Sequence, residues 1–458
     1  MGKFDHFYTT LPVWAQNAAV TSYGVYWHWL RFGAGFQKYT QGFREREHFS
    51  AEEWQSWTQK QLGKLLSESV ENVPYYSRHY TVLQKQAARE GNLQALPLLE
   101  KDAIRKDPRA LLRSDITAKE YVFHTSGTTG TPIASIWTLR ENRISLALRE
   151  ARSANWAGVS FSMPRATFSG RMVEPDPNSK GPYYRYNAVE KQVYFSAFHL
   201  KPDTASKYVK ALWKHHIEWM TGYAVSYYLL AKFVLEQDIE VPPLKAVITT
   251  SEKLTSEMRA VMEEAYHCKV FEEYSTVENA LFASECECGN LHVSPDAGIV
   301  EILRLDGTPC APDEVGEVVA TCLAREYQPL IRFRLGDLAA WSGEPCPCGR
   351  QMPVIKEVVG RIEDVVVGPD GRQMVRFHGI FTDQPHVREG QIIQESLNHI
   401  HVKIVPGDCF SPGDVADIVA RVQQRLGNSV EVTVEKVEFI PRAKSGKFKA
   451  VISNIVKK

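Results

Sequence analysis

The sequence predicts an α/β protein: a large domain of mixed and parallel sheets covered by helices, then a small C-terminal α+β domain. Three observations carry that prediction. From Lys207 to Glu273, short apolar runs alternate with segments of helical period, the rhythm of β-α-β units. Residues 1–100 read as helix with little strand pattern, and residues 361–458 show strand–helix–strand on a smaller scale. The expected organisation is a helical lead-in at 1–100, a large domain at 101–360 with a cysteine-rich insertion, and a small domain at 361–458. A chain of 458 residues has length for two or three domains and a sizeable core.

Composition narrows the class. The 54 basic and 54 acidic residues cancel, which argues against a nucleic-acid surface or an anionic-membrane partner. Lys3 and Asp5 are not followed by the apolar core and small-residue cleavage site of a secretory signal. Gly2 opens like a myristoylation site, but His6 stands where Ser or Thr is needed. Eight cysteines without a secretory pattern point to reduced thiols or a metal site, not a disulfide framework. A cytoplasmic enzyme without a transmembrane segment is the expectation, and a homodimer stays open.

Along the chain, Leu11 to Leu30 is an uncharged aromatic run. Gln16, Asn17, Thr21, Ser22 and His28 make it a poor membrane span, so a helix packed on the body of the protein is expected. Contact with a membrane surface through Trp27, Trp29 and Phe32 is the alternative. Ser50 is a plausible N-cap for a helix to Val70, ended at Pro74. Leu96 to Lys101 reads as an apolar linker. Tyr121 to His124 and Ile133 to Leu139 read as two strands of a hairpin, with a helix from Arg140 to Trp156 after it. Tyr194–Leu200 carries a histidine amid aromatics, and further strands are expected at Ile217–Met220, Leu244–Thr250 and Val270–Glu273. Helices are expected at Lys207–His215, Ala224–Gln237 and Ser256–Tyr266. In a parallel sheet ligands gather at the carboxyl ends of strands, here Thr221-Gly222-Tyr223, Thr250-Ser251-Glu252 and Tyr274 to Glu278. The small domain offers strands at His399–Val405 and Ser429–Ile440, around a helix begun by Ser411-Pro412 and ended by Gly427.

The tip of the first hairpin is Thr125-Ser126-Gly127-Thr128-Thr129-Gly130. Glycines allow positive φ and close approach, so such a loop can turn its amides and hydroxyls toward phosphate oxygens. It is not a nucleotide-hydrolase P-loop, because no Gly-Lys-Ser/Thr follows. Two close cysteine pairs, Cys286/Cys288 and Cys346/Cys348, supply four thiolates of the kind that hold structural Zn²⁺. His292 and Cys310 compete as ligands. Cys268, Cys322 and Cys409 are most simply core residues.

Five segments occur in a telling order: TSGTTGTP (125–132), YSTVEN (274–279), RFRLGDLA (332–339), VGRIED (359–364) and PRAKSGK (441–447). The order resembles the adenylate-forming enzyme superfamily. ASECECGNLHVS (283–294) and CPCGR (346–350) narrow the resemblance to its phenylacetate–coenzyme A ligase and CapK-like branch. It runs from about Tyr75 onward, and it implies activation of a carboxylic acid with ATP to an acyl-adenylate and pyrophosphate, then transfer of the acyl group. Coenzyme A is the implied acceptor. An amine, sugar or carrier, giving an amide or ester, is the alternative, and a nucleotide-binding relative without catalysis is a third.

By the resemblance, residues 125–130 hold the β- and γ-phosphates and Glu278 holds Mg²⁺. Asp337 and Arg361 bind the ribose. Tyr274 stacks on adenine, with Ser251 and Glu252 on its other side and Ser275 and Thr276 beside it. Lys447 catalyses adenylation. Glu363 is the hinge on which a mobile C-terminal lid turns, and Phe198, His199, Gly222, Tyr223 and Ala224 line the acyl pocket. Three departures stand out. Val277 replaces a hydroxyl expected near the α-phosphate, with Thr276 as its nearest substitute. Glu363 replaces the usual Asp or Lys, and residues 365–374 lack the usual Arg-Gly pair.

Overall fold

A computed structural model describes residues 8, 11–124, 133–171, 173–174, 176, 179–361, 366–370, 373–374, 377–381, 384–443 and 447–455. Helices fill the N-terminal part, at Val13–Phe32, Phe36–Arg46, Ala51–Asn72, Pro74–His79 and Val82–Arg89. Ser50 caps the third: its hydroxyl accepts from the Glu53 amide at 3.2 Å, and the Glu53 carboxylate accepts from the Ser50 amide at 2.8 Å. This reciprocal pair satisfies two otherwise orphaned donors. The helix stops at Asn72, just before Pro74, as expected. Val73 makes an extended break, and Pro74 opens a new helix, at a position where its missing N–H is harmless.

The polar residues of the first helix have a structural use. The Tyr186 amide donates to Asn17 Oδ1 at 2.9 Å, and the Ala188 amide to Thr21 Oγ1 at 3.2 Å. The helix thereby covers the free edge strand Tyr184–Asn187, whose unpaired backbone would otherwise be a template for further strand pairing. Among the described residues no helix is long and apolar enough to cross a membrane.

A twelve-stranded sheet forms the body. Five strands, Lys269–Ser275, Ala246–Thr250, Trp219–Tyr223, Arg165–Phe168 and Gln192–Phe195, are parallel neighbours in that order. They realise the β-α-β rhythm, with helices Ala205–Lys214, Ala224–Glu236 and Ser256–Tyr266 as crossovers. Beyond Lys269–Ser275 the sheet continues antiparallel through Phe282–Glu285, Leu291–Val293, Val354–Arg361, Phe333–Trp341, Val315–Cys322 and Gly298–Leu303. Short links such as 276–281 and 286–290 can only return the chain antiparallel, because a parallel crossover needs a dozen residues or more. The sheet is therefore mixed.

The first hairpin pairs Tyr121–His124 with Ala134–Trp137, His124 opposite Ala134. Its tip, Thr125 to Pro132, lies outside the described residues. The helix after it runs Leu139–Arg149 and continues as a π-helical turn over Glu150–Ala154. The C-terminal unit carries a four-stranded sheet, ordered Glu431–Lys436, His399–Pro406, Val387–Ser396 and Val451–Ser453, and a separate pair, Val366–Val367 with Gln373–Met374. Helix Pro412–Leu426 buries Ile418, Val422 and Leu426 against Ile392, Ile400, Val402 and Ile404, a core cluster separate from those of the large sheet. Strands Val387–Ser396 and Val451–Ser453 escape the sequence reading because neither has a clean apolar alternation.

Two glycines give opposite expectations. A Cβ on Gly222, where φ is +137°, would meet the Phe168 carbonyl oxygen at 1.9 Å, whereas one on Gly63 in helix Ala51–Asn72 would meet nothing within 4 Å. Gly222→Ala should cost about 3 kcal/mol and Gly63→Ala should add roughly 0.5–1 kcal/mol, both read from urea denaturation midpoints.

Candidate active site

The site is assembled at strand ends. Asp337 sits within Phe333–Trp341, directly opposite Arg361 on the neighbouring strand Val354–Arg361, and Arg361 Nε lies 3.0 Å from Asp337 Oδ1. The other carboxylate oxygen accepts from the Tyr274 hydroxyl at 2.8 Å. Tyr274 belongs to Lys269–Ser275, four positions away in the sheet order. A flat sheet would part those strands by roughly 19 Å at about 4.8 Å per strand. The bond therefore requires a sharply curled sheet, with the Asp337 carboxylate inside the curl. Burial and then the Asp337 charge push the Tyr274 phenol up.

Glu278 follows Tyr274 on the turn to Phe282–Glu285 and is buried. Burial raises its carboxyl above the ordinary range, opposed by its own amide, Lys101 and Arg361. Its backbone carbonyl accepts from Arg325 Nη1 at 2.7 Å. Arg325 is fully buried; it also donates to Ser135 Oγ at 2.9 Å and to the Ile136 carbonyl, and its guanidinium lies 4.6 Å from the Trp137 ring centroid. Arg325 thus ties Glu278 to the strand that leaves the 125–132 loop.

Lys447 reaches this group from the C-terminal tail. Burial first, and then Arg361, depress its ammonium below the ordinary lysine range, while Glu252, Asp337 and Glu278 oppose that shift. These three carboxylates come from segments far apart in sequence. Glu252 follows Ser251, whose φ of +71° is rare for a side-chain-bearing residue. Its two oxygens accept from the Val225 amide at 2.9 Å and the Phe448 amide at 2.8 Å.

The other expected residues take these places. Ser275 Oγ lies 2.9 Å from Arg149 Nη2 and 3.1 Å from Glu273 Oε1. Thr276 Oγ1 accepts from the Ala280 amide at 3.3 Å, and Val277 is exposed. His199 is buried and has both ring nitrogens engaged, Nδ1 with Ser196 Oγ and Nε2 with the Asp176 carbonyl, each at 2.8 Å, while its ring stacks on Tyr183. Phe198 is exposed, Tyr223 and Ala224 are buried, and burial pushes the Tyr223 phenol up to about 12. Thr125, Ser126, Gly127, Thr128, Thr129, Gly130 and Glu363 lie outside the described residues.

Sequence reasoning missed Lys101 and Arg325. Lys101 opens a short helix, and its Nζ lies 2.8 Å from where a Cβ on Gly336 would stand. Neither residue belongs to a motif. The signal for Arg325 was a lone arginine beside an apolar run, which reads equally well as surface.

A second cluster lies apart from this site. One ligand atom each from Cys286, His292, Cys346 and Cys348 lies within 4.8 Å of all the others. Cys286 Sγ is 3.6 Å from Cys346 Sγ, and Cys348 Sγ is 3.3 Å from His292 Nε2. A tetrahedral zinc site with about 2.3 Å Zn–S bonds has edges near 3.8 Å, so the donor set fits. The expected fourth ligand, Cys288, is exposed and outside the cluster. It sits in the turn closed by the Cys286 amide on the Asn290 carbonyl and the Gly289 amide on the Cys286 carbonyl, both 2.9 Å, whereas His292 on the following strand is fully buried. His292 Nδ1 is 3.3 Å from the Met352 carbonyl, which leaves Nε2 toward the thiols. Cys310 packs in the core near Gly316.

Residues 367–454 match the family model described as the CapK C-terminal domain. Protein CapK of Staphylococcus aureus is 26% identical over 376 residues, covering 80% of this chain and 81% of that protein. Phenylacetate-coenzyme A ligase of Thermus thermophilus is 25% identical over 243 residues, covering 46% of this chain and 54% of that one. The crystal structure of 2-hydroxyisobutyryl-CoA ligase, in the postadenylation state with R3-HIB-AMP, shares the fold with a TM-score of 0.67 at 20% identity, over 89% of this chain and 90% of that one. Residues 367–454 thus carry a CapK C-terminal domain, and the chain is similar over most of its length to protein CapK and shares the fold of 2-hydroxyisobutyryl-CoA ligase.

Proposed function

We propose that the protein joins a carboxylic acid to AMP and then passes the acyl group to the thiol of coenzyme A. In the first step a carboxylate oxygen of the acid bonds to the α-phosphorus of ATP, and the bond to the bridging oxygen breaks to release pyrophosphate. In the second, the thiol sulfur bonds to the acyl carbon, AMP leaves, and the thiol proton passes to solvent. The observation that supports this best is the Asp337 carboxylate fixed between Arg361 and Tyr274, with the Phe448 amide, next to Lys447, bound to Glu252. Phosphoryl chemistry depends on positioned charge more than on covalent help from the protein. The Lys447 ammonium would neutralise the acid's oxygen and the α-phosphate as they meet.

The remaining roles follow from placement. Asp337, fixed by Tyr274 and Arg361, would accept from the ribose hydroxyls. Tyr274 would face adenine, with Ser251, Glu252, Ser275 and Thr276 around it, and Thr125 to Gly130 would cradle the outer phosphates. Glu278, a buried carboxylate with two cations near it, would hold Mg²⁺, which would screen the phosphate charge. Gly222, Tyr223 and Ala224 would wall the acyl group beside Phe198, with His199 as the fixed floor. Cys286, His292, Cys346 and Cys348 would hold a structural Zn²⁺. The C-terminal unit would act as a lid turning at Glu363 between the two steps, one site serving two chemistries.

The direct test is ATP–pyrophosphate exchange over a panel of carboxylic acids, followed by AMP release with and without coenzyme A. Acid-dependent exchange with coenzyme-A-dependent AMP release supports the reading. Exchange with no acid refutes it, and AMP release indifferent to coenzyme A assigns the acyl group to an amine, sugar or carrier.

Two further outcomes are expected. Lys447→Ala should lower exchange by about 10²–10³-fold while ATP binding by calorimetry stays near wild type. Only the ammonium form is useful, and its pKa is depressed. The exchange rate should therefore fall with rising pH below the ordinary lysine range, and Lys447→Ala should lose that alkaline limb. Metal analysis should find about one zinc per chain, kept in Cys288→Ser and lost in His292→Ala and Cys346→Ser.

A further inference from the structure

We propose that Glu252 is a positioning residue, a latch that holds the Lys447 segment over the site for adenylation and must release it for acyl transfer. The proposal rests on the role given above to Lys447. Strand Ala246–Thr250 ends at Ser251, whose left-handed backbone turns the chain so that Glu252 faces inward. One carboxylate oxygen accepts from the Val225 amide at 2.9 Å, and the other from the Phe448 amide at 2.8 Å.

Each bond has a distinct physical job. Val225 lies in the first turn of helix Ala224–Glu236, and the side chain at its N-cap, Tyr223, makes no capping bond. The first-turn amides and the positive end of the helix dipole favour a carboxylate there, so Glu252 is anchored on the large domain. Phe448 follows Lys447, so the second bond fixes the peptide that carries the catalytic ammonium. Within the C-terminal unit, Arg442 stiffens the same segment. Its Nη1 meets Glu389 Oε2 at 2.6 Å, and its guanidinium sits 4.8 Å from the Phe448 ring centroid.

A carboxylate suits this clamp better than its neutral analogue. Both oxygens accept, whereas a carboxamide has a single accepting oxygen and would satisfy one amide while facing the other with its own donor. The bond to Phe448 also joins parts that separate if the lid turns, so its strength sets how long Lys447 stays in place. A latch that is too weak slows adenylation, and one that never opens slows the acyl transfer.

The test uses the full chain with Glu252→Gln and Glu252→Ala. With ATP and Mg²⁺ present, trypsin should cut after Arg442, Lys444 and Lys449 about tenfold faster in Glu252→Ala than in wild type, and Glu252→Gln should fall between them. With an acid that the wild type activates, the ratio of exchange rate to transfer rate should fall about tenfold; the transfer rate is read from that acid's synthetic adenylate and coenzyme A. Tail cleavage at the wild-type rate, or an unchanged ratio, overturns the latch. If no acid supports exchange in the wild type, the proposed function fails, and the trypsin comparison still decides the latch. Glu252→Gln keeps the side-chain volume, so its melting curve and cleavage separate latch loss from misfolding.

Discussion

The Asp337 carboxylate is the node on which the site depends. One of its oxygens faces Arg361 across a neighbouring strand, and the other takes the Tyr274 hydroxyl from a strand four positions away. The pair of contacts holds the sheet's curl closed and brings the Tyr274–Glu278 turn over the Phe333–Trp341 strand. Removing that carboxylate would take away the acceptor of the Tyr274 hydroxyl, and a half-satisfied polar network costs more than its contacts suggest.

Around this node the protein gathers charge of both signs. Arg361, Lys101 and Lys447 stand against Asp337, Glu278 and Glu252. In a region of low dielectric such charges shift one another. Arg325 extends the order outward, joining the Glu278 backbone to the hairpin strand that bears the 125–132 loop. Gly222, pressed against the Phe168 carbonyl, and the His199 ring, bonded at both nitrogens, are held by packing and hydrogen bonds.

Much of this was legible in the sequence, and the limits have physical causes. The parallel strands showed because fully buried strands are short apolar runs between helices of clear period. The antiparallel half did not, since strands such as Leu291–Val293 are three residues long and are defined by partners far away. Lys447, Glu278, Asp337 and Arg361 stood out through motif order, but Glu252 gave no hint that its carboxylate would bind the backbone after Lys447. Spacing in the cysteine pairs suggested Cys288, and the turn geometry puts His292 in its place. Cys288 lies in the turn at 286–290 while His292 lies on the strand after it, and spacing alone does not say which of the two faces the other thiols.

Asp337 is proposed to organise a nucleotide site. Calorimetric titration of AMP into the wild type and Asp337→Ala tests it most directly. Loss of two charge-assisted bonds to the ribose, with disordering of Arg361 and Tyr274, predicts binding weaker by about a hundredfold. Equal affinity in the two proteins would contradict the account.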